Sequence, residues 1–222
     1  MTPIIAIVAL AVVGGAVVVV SSRDPRTVLL ALAVALVATP LVADPLASPL
    51  GLAARLVGAI LATYLLWVVA RHRGDGGVIA SPTGGSRIGW PAEILVAAGA
   101  GVVGFAAHGL GAPAGGPPLA SAAGFAVAAL AVAPVVTGRD VIRVGTGLLL
   151  LIDAGLIVRI ALGGTPGDVE QLVTAAMLIV LAGALAALAA NARADGVGGY
   201  GFADPARVRV RREPDAHPLD QA

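Results

Sequence analysis

The sequence lacks cysteine and lysine, and each absence excludes a class of chemistry. Without cysteine, the 222-residue chain can hold no disulfide, thiolate metal site, iron–sulfur cluster or covalently attached c-type haem. All 14 basic residues are arginine, which excludes a Walker A lysine, a Schiff base and a lysine general base. Of the three histidines, only His108 lies near an apolar segment, so two facing haem ligands are not available. We therefore expect no catalytic residue, metal site or cofactor in this chain.

Charge is also scarce. Charged residues make up 12% of the sequence and hydrophobic residues 58%, whereas about a quarter of the residues of a soluble domain are charged. This composition predicts an integral membrane protein. A helix needs roughly 20 apolar residues to cross about 30 Å of hydrocarbon. The predicted fold class is all-α, with seven transmembrane helices at residues 4–20, 27–43, 52–70, 92–110, 119–137, 141–162 and 169–190.

The arginines predict the orientation of these helices. Twelve of the 14 fall in alternate connections and in the C-terminal tail, and arginine-bearing connections stay in the cytoplasm. We therefore expect the N-terminus outside and the C-terminus inside a bacterial cytoplasmic (inner) membrane. No positive charge precedes the first segment, so we expect a retained helix rather than a signal peptide. The two remaining arginines, Arg55 and Arg159, lie near the predicted outer ends of their helices.

A charged pair occurs twice, 116 residues apart. Arg23 and Asp24 precede the second predicted helix, and Arg139 and Asp140 precede the sixth. Matching apolar residues on both sides predict two three-helix units in the same orientation, joined by a connecting helix. The predicted divisions are 1–73 for the first unit, 74–91 for a cytoplasmic loop, 92–110 for the connecting helix, 119–190 for the second unit and 191–222 for a disordered cytoplasmic tail. The alternative is that each pair is only a positive-inside anchor with a locally paired aspartate.

Asp153 is the only carboxylate placed deep in a predicted span. An ionisable residue near the bilayer centre costs about 2.5–3.5 kcal/mol unless it is paired, hydrated or neutralised. Arg159 follows Asp153 by six residues, which places the two on different faces of one helix. Arg55 is a possible partner from another helix. Two roles therefore stay open for Asp153: a proton relay, or a structural residue that is hydrogen-bonded or ion-paired.

The residues Arg139, Asp140, Gly147 and Asp153 resemble a pattern in a family of small membrane subunits. These subunits are related to the K subunit of respiratory complex I, and the pattern is most similar to component E of group 4 membrane-bound hydrogenases. Arg55 resembles the basic residue that component E carries early in its third helix. The resemblance implies partners: antiporter-like membrane subunits, a quinone- or hydrogenase-module anchor, and soluble redox subunits that hold the cofactors.

Leu149 and Ala176 stand where the two families carry acidic residues, so we expect a packing role rather than a continuous proton path through this chain. The predicted function is a non-catalytic subunit of a complex I-like or group 4 hydrogenase-like ion-translocating membrane arm. Asp153, Arg159 and Arg55 are its candidates for polar coupling. The alternatives are a self-contained transporter of ions or small solutes and a membrane scaffold or assembly protein.

Overall fold

The computed structural model describes residues 3–22, 24–71, 90–110, 114–137 and 141–194. Within these residues the chain is helical and contains no strand. The helices are α1 (Pro3–Ser21), α2 (Pro25–Ala38), α3 (Pro49–Arg71), α4 (Trp90–Ala107), α5 (Pro118–Thr137), α6 (Val141–Gly163) and α7 (Asp168–Ala194). A 3₁₀ turn, Thr39–Val42, continues α2.

Six of these helices are long and apolar enough to cross a membrane. The prediction of an all-α polytopic membrane protein is confirmed. The connecting helix α4 begins at Trp90, before the predicted span 92–110, and ends at Ala107, three residues before the predicted end. There the backbone turns through His108 and Gly109, and Gly109 has a φ of +79°, a conformation that side-chain-bearing residues rarely adopt.

The second predicted span is not one regular helix. Its α-helical part ends at Ala38, and the 3₁₀ turn begins at Thr39. Pro40 has no backbone N–H to continue the α-helical pattern. The hydroxyl oxygen of Thr39 lies 2.9 Å from the carbonyl oxygen of Ala35. The backbone therefore changes from α-helix to 3₁₀ helix inside the span, and Thr39 is the first residue of the 3₁₀ turn.

The helices form two rows of three. In the first row α1 packs on α2 and α2 on α3, and in the second row α5 packs on α6 and α6 on α7. The rows meet where α1 packs on α5 and α3 packs on α7. The connecting helix α4 packs on α5 and also contacts α1. The 116-residue offset pairs α1 with α5, α2 with α6 and α3 with α7, and the two helices of every pair are in contact. A rotation about the membrane normal that relates the units stays a prediction.

One close helix contact recurs in both rows. A Cβ added at Gly15 of α1 would lie 3.0 Å from the carbonyl oxygen of Ala31 in α2. In the second row the same two positions are Ala131 and Gly147, and a Cβ at Gly147 would lie 3.2 Å from the carbonyl oxygen of Ala131. Small residues let helix backbones approach this closely in a membrane. The recurrence supports the predicted repeat.

The described part of the charged repeat is a helix cap. The carboxylate of Asp24 accepts hydrogen bonds from the backbone N–H groups of Arg26 (3.3 Å) and Thr27 (3.2 Å) and from the Thr27 hydroxyl (2.8 Å). The hydroxyl of Thr27 is the main cause that lowers the pKa of Asp24 below its usual value. Asp24 is therefore an N-cap of α2. Arg23, Arg139 and Asp140 lie outside the described residues, as do 72–73 of the predicted first unit, 74–89 of the predicted loop and 195–222 of the predicted tail.

Candidate functional site

Asp153 lies in the interior of α6. It follows Val141 by twelve residues and precedes Gly163 by ten, which places it about 18 Å and about 15 Å from the two helix ends at 1.5 Å per residue. Its side chain is fully buried. Protein groups therefore surround this carboxylate, and other side chains must compensate its charge.

Arg55 of α3 provides that compensation. Its Nη2 lies 2.7 Å from Oδ1 of Asp153, and both side chains are 0% exposed. Sequence reasoning proposed Arg55 as one possible partner, and the structure brings the two residues together. The distance is typical of a charge-assisted hydrogen bond between an arginine and a carboxylate.

Thr39 completes the contacts of Asp153. Its hydroxyl lies 2.5 Å from Oδ2 of the carboxylate, and the side chain is fully buried. Because Thr39 opens the 3₁₀ turn that follows α2, the site joins three segments: α3, α6 and the break in the second span. Sequence reasoning missed Thr39. The threonine directly before Pro40 is a signal that could have marked it, since a proline inside a predicted span indicates a break in the helix.

The two ionic partners come from different three-helix units. Under the 116-residue offset, Arg55 corresponds to Gln171 and Asp153 corresponds to Val37. Each unit thus contributes one member of the pair and carries a neutral residue at the position of the other. The ion pair links the units and has no counterpart elsewhere in the repeat.

Gln171 of α7 is a second buried polar residue that sequence reasoning missed. It is 0% exposed, and neither its amide oxygen nor its amide nitrogen has a hydrogen-bond partner among the described residues. A Cβ added at Gly51 of α3 would lie 3.2 Å from Cγ of Gln171, so the glutamine side chain rests against the glycine. Its correspondence to Arg55 in the repeat is the signal that could have singled it out.

Arg159 is not part of this site. Its Nε lies 3.0 Å from Oε1 of Glu170, and Nη2 lies 3.1 Å from Oε2, so the pair is bidentate. The two side chains are 45% and 34% exposed. Of the three predicted coupling residues, the structure therefore joins Arg55 to Asp153 and places Arg159 in a separate pair at the end of α6.

The connections 43–48 and 164–167 lie at one end of the bundle, which we name the predicted outer end because the arginine pattern places it outside. The hydroxyl of Ser48 hydrogen-bonds Asp168, the first residue of α7. The hydroxyl of Thr165 donates to the carbonyl of Pro45 at 2.7 Å. Thr165 thus joins the two connections to each other, and Ser48 joins the connection 43–48 to the start of α7.

No known protein family, curated protein or solved structure matches this chain. The resemblance to component E therefore depends on the short sequence patterns alone.

The chemistry available at the site is the making and breaking of one buried ion pair. A proton that reaches Asp153 removes the charge that holds Arg55, and loss of that proton restores the attraction. The groove of about 550 Å³ between α6 and α7 offers no polar chemistry, because apolar side chains line it. Among the described residues, no group of three or more acidic or histidine side chains is arranged to hold a metal ion.

Proposed function

We propose that this chain is a non-catalytic subunit of an ion-translocating membrane arm of the complex I-like or group 4 hydrogenase-like kind. The chain packs between antiporter-like subunits, and its contribution to coupling is the ion pair of Arg55 and Asp153. The observation that carries the proposal is this pair, whose atoms approach to 2.7 Å with both side chains fully buried. The sequence patterns around Asp153 and Arg55 support the choice of family.

In this proposal the pair alternates between two charge states of Asp153. With Asp153 charged, Arg55 is held across the boundary between the units. With Asp153 neutral, the guanidinium keeps its charge, since arginine stays protonated, and it is then attracted to any other anion within reach. A change of this kind displaces α3 relative to α6, which is how a subunit without its own ion channel can transmit coupling to its neighbours.

Coupled ion transport tests the role of Asp153. Asp153→Asn keeps the shape of the side chain and removes its charge. We expect it to impair formation of an ion gradient in membrane vesicles energised in turn with NADH, formate or hydrogen, while the complex still assembles on native gels. Glu170→Gln is the matched control, since it neutralises a carboxylate that is paired with an arginine near the predicted outer end. Normal transport by Asp153→Asn would assign Asp153 a structural role.

Co-purification tests the assembly. The tagged chain, extracted in mild detergent, is expected to bring with it antiporter-like and redox subunits that mass spectrometry identifies. Recovery of a homo-oligomer or of the chain alone would overturn the membrane-arm proposal and favour a self-contained transporter. Recovery with unrelated membrane proteins would favour a scaffold or assembly protein.

A further inference from the structure

We infer that water reaches Asp153 from the predicted outer end, along a polar path through the interface of α3 and α7 that Gln171 and Arg55 line. The inference begins from a set of unpaired polar atoms. Both amide atoms of Gln171 and the Nε and Nη1 atoms of Arg55 are buried without a hydrogen-bond partner in the part of the chain that the structure describes. Buried polar groups in folded proteins are normally paired with protein groups or with water.

The helix geometry places these two side chains at the interface of α3 and α7. Gly51, Arg55 and Gly58 of α3 are three and four residues apart and share one face of the helix. Gly51 contacts Gln171, and a Cβ at Gly58 would lie 2.8 Å from Cβ of Ala175, so this face is turned to α7. Arg55 therefore leaves α3 between these two contacts, next to the turn of α7 that carries Gln171.

A series of polar groups connects this position with the end of the bundle. Ser48 and Asp168 meet at the start of α3 and α7, where both residues are at least partly exposed. Oδ1 of Asp168 would lie 3.1 Å from a Cβ at Gly51, which is also the glycine that Gln171 contacts. Asp168 and Gln171 are three residues apart, and Gly51 and Arg55 four, so each step is about 4.5–6 Å along the helix axes.

Gly51 is the residue of α3 that lies against both Asp168 and Gln171. Because it has no side chain, both Asp168 and Gln171 can lie against its backbone. A water molecule in a buried protein site typically makes about three hydrogen bonds. Water beside Gly51 thus has donors and acceptors on Gln171, Arg55 and Asp168, and Arg55 is already bonded to Asp153. The chemical species that the path accepts is water, and with it the proton that Asp153 exchanges.

Cysteine reactivity tests the path, because the chain contains no other thiol. The probe is the anionic reagent 2-sulfonatoethyl methanethiosulfonate, which does not cross a bilayer. A thiol reacts as the thiolate, which requires contact with water, so we expect Gln171→Cys to react on the order of tenfold or more faster than Leu178→Cys. Leu178 is the matched control, since it is 0% exposed on the same face of α7 and lies seven residues farther along.

The same experiment determines from which membrane face the reagent reaches residue 171. Leu46→Cys, on the connection 43–48 and 57% exposed, marks the face of the bundle at the predicted outer end. Gln171→Cys is expected to react only from the face that modifies Leu46→Cys, in vesicles of both orientations. Equal rates for Gln171→Cys and Leu178→Cys, or reaction from the opposite face, would overturn the inference.

A second experiment uses the protein without substitutions, so its result does not depend on whether a cysteine variant folds. Gln171 and Gln221 are the only glutamines, so ¹⁵N-glutamine labelling yields two side-chain amides. In solid-state NMR of the protein in bilayers, magnetisation from water is expected to reach both amides. Transfer to Gln221 alone would overturn the path. The inference rests on the proposed function where it treats the path as a route to Asp153. Its experiments measure access of water and the proposed function is tested by ion transport, so either one can fail while the other holds.

Discussion

Arg55 and Gln171 occupy corresponding positions in the two three-helix units, and their surroundings differ. Arg55 is bonded to Asp153 of the other predicted unit, whereas the amide of Gln171 has no hydrogen-bond partner within the described helices and connections. Both side chains are completely buried in the region where α3 packs on α7. The difference shows that two equally buried positions, which correspond under the 116-residue offset, can carry a charge in one case and a neutral amide in the other.

The neutral residues Val37 and Gln171 correspond to Asp153 and Arg55, so the second ion pair that a full repeat would contain is absent from the sequence. Val37 stands at the position of Asp153 in the first unit, so an arginine at residue 171 would have no equivalent acid to meet. A charge buried without a partner costs far more than a buried amide. Glutamine therefore fills the second position with a polar group of similar reach and without a charge.

The largest expected effect follows from removing the charge at Arg55. Arg55→Leu leaves the carboxylate of Asp153 buried without a counter-ion, and we expect a loss of about 3–5 kcal/mol in the free energy of unfolding. Unfolding of the purified protein in detergent measures it. The double variant Arg55→Leu with Asp153→Leu is expected to recover most of the loss, because no charge remains buried. A single variant as stable as the unaltered protein would show that Arg55 does not neutralise Asp153.

The shared interface of Arg55 and Gln171 is tested at Gly58. The Cβ of Gly58→Ala would lie 2.8 Å from Cβ of Ala175, so α3 and α7 must separate, and we expect a loss of about 1–3 kcal/mol. Gly155→Ala is the control, because nothing lies within 4 Å of its added Cβ. Alanine there is expected to be neutral or to stabilise α6 by up to about 1 kcal/mol. Equal stability of the two variants would contradict the close contact.

The neutral side of the comparison predicts a small effect. Gln171→Leu replaces an amide that makes no hydrogen bond to protein with an apolar group of similar size. We expect the free energy of unfolding to change by less than about 1.5 kcal/mol in either direction. A loss as large as that of Arg55→Leu, measured in the same detergent, would mean that Gln171 has a strong partner.

The smallest effect is expected at the exposed pair. Arg159 and Glu170 make two contacts where Arg55 and Asp153 make one, but their side chains are 45% and 34% exposed. We expect Arg159→Ala to cost at most about 1 kcal/mol, since exposed pairs contribute about 0.2–1 kcal/mol. Glu170→Ala should give the same value. A cost comparable to that of Arg55→Leu would show that burial does not distinguish the two pairs.

The sequence by itself determined which segments are helices and that they are apolar enough to cross a membrane. Six of the seven predicted spans have that length in the structure, and α6 begins at the predicted residue, Val141. This succeeds because a spanning helix satisfies its backbone within one continuous segment, so composition over about 20 residues carries the signal. The depth of Asp153 followed from the same counting.

Tertiary structure alone decided the partner of Asp153 and the place of the unpaired amide. Arg55 and Arg159 were equally visible in the sequence, yet the residue 98 positions away forms the pair and the residue six positions away does not. Local spacing excluded Arg159 from the face of α6 that carries Asp153, but it cannot state which helices touch. Helix contacts in a membrane depend on how small and large side chains fit across helices distant in sequence, and the closeness of α3 to α7 at Gly51 and Gly58 set the surroundings of Arg55 and Gln171.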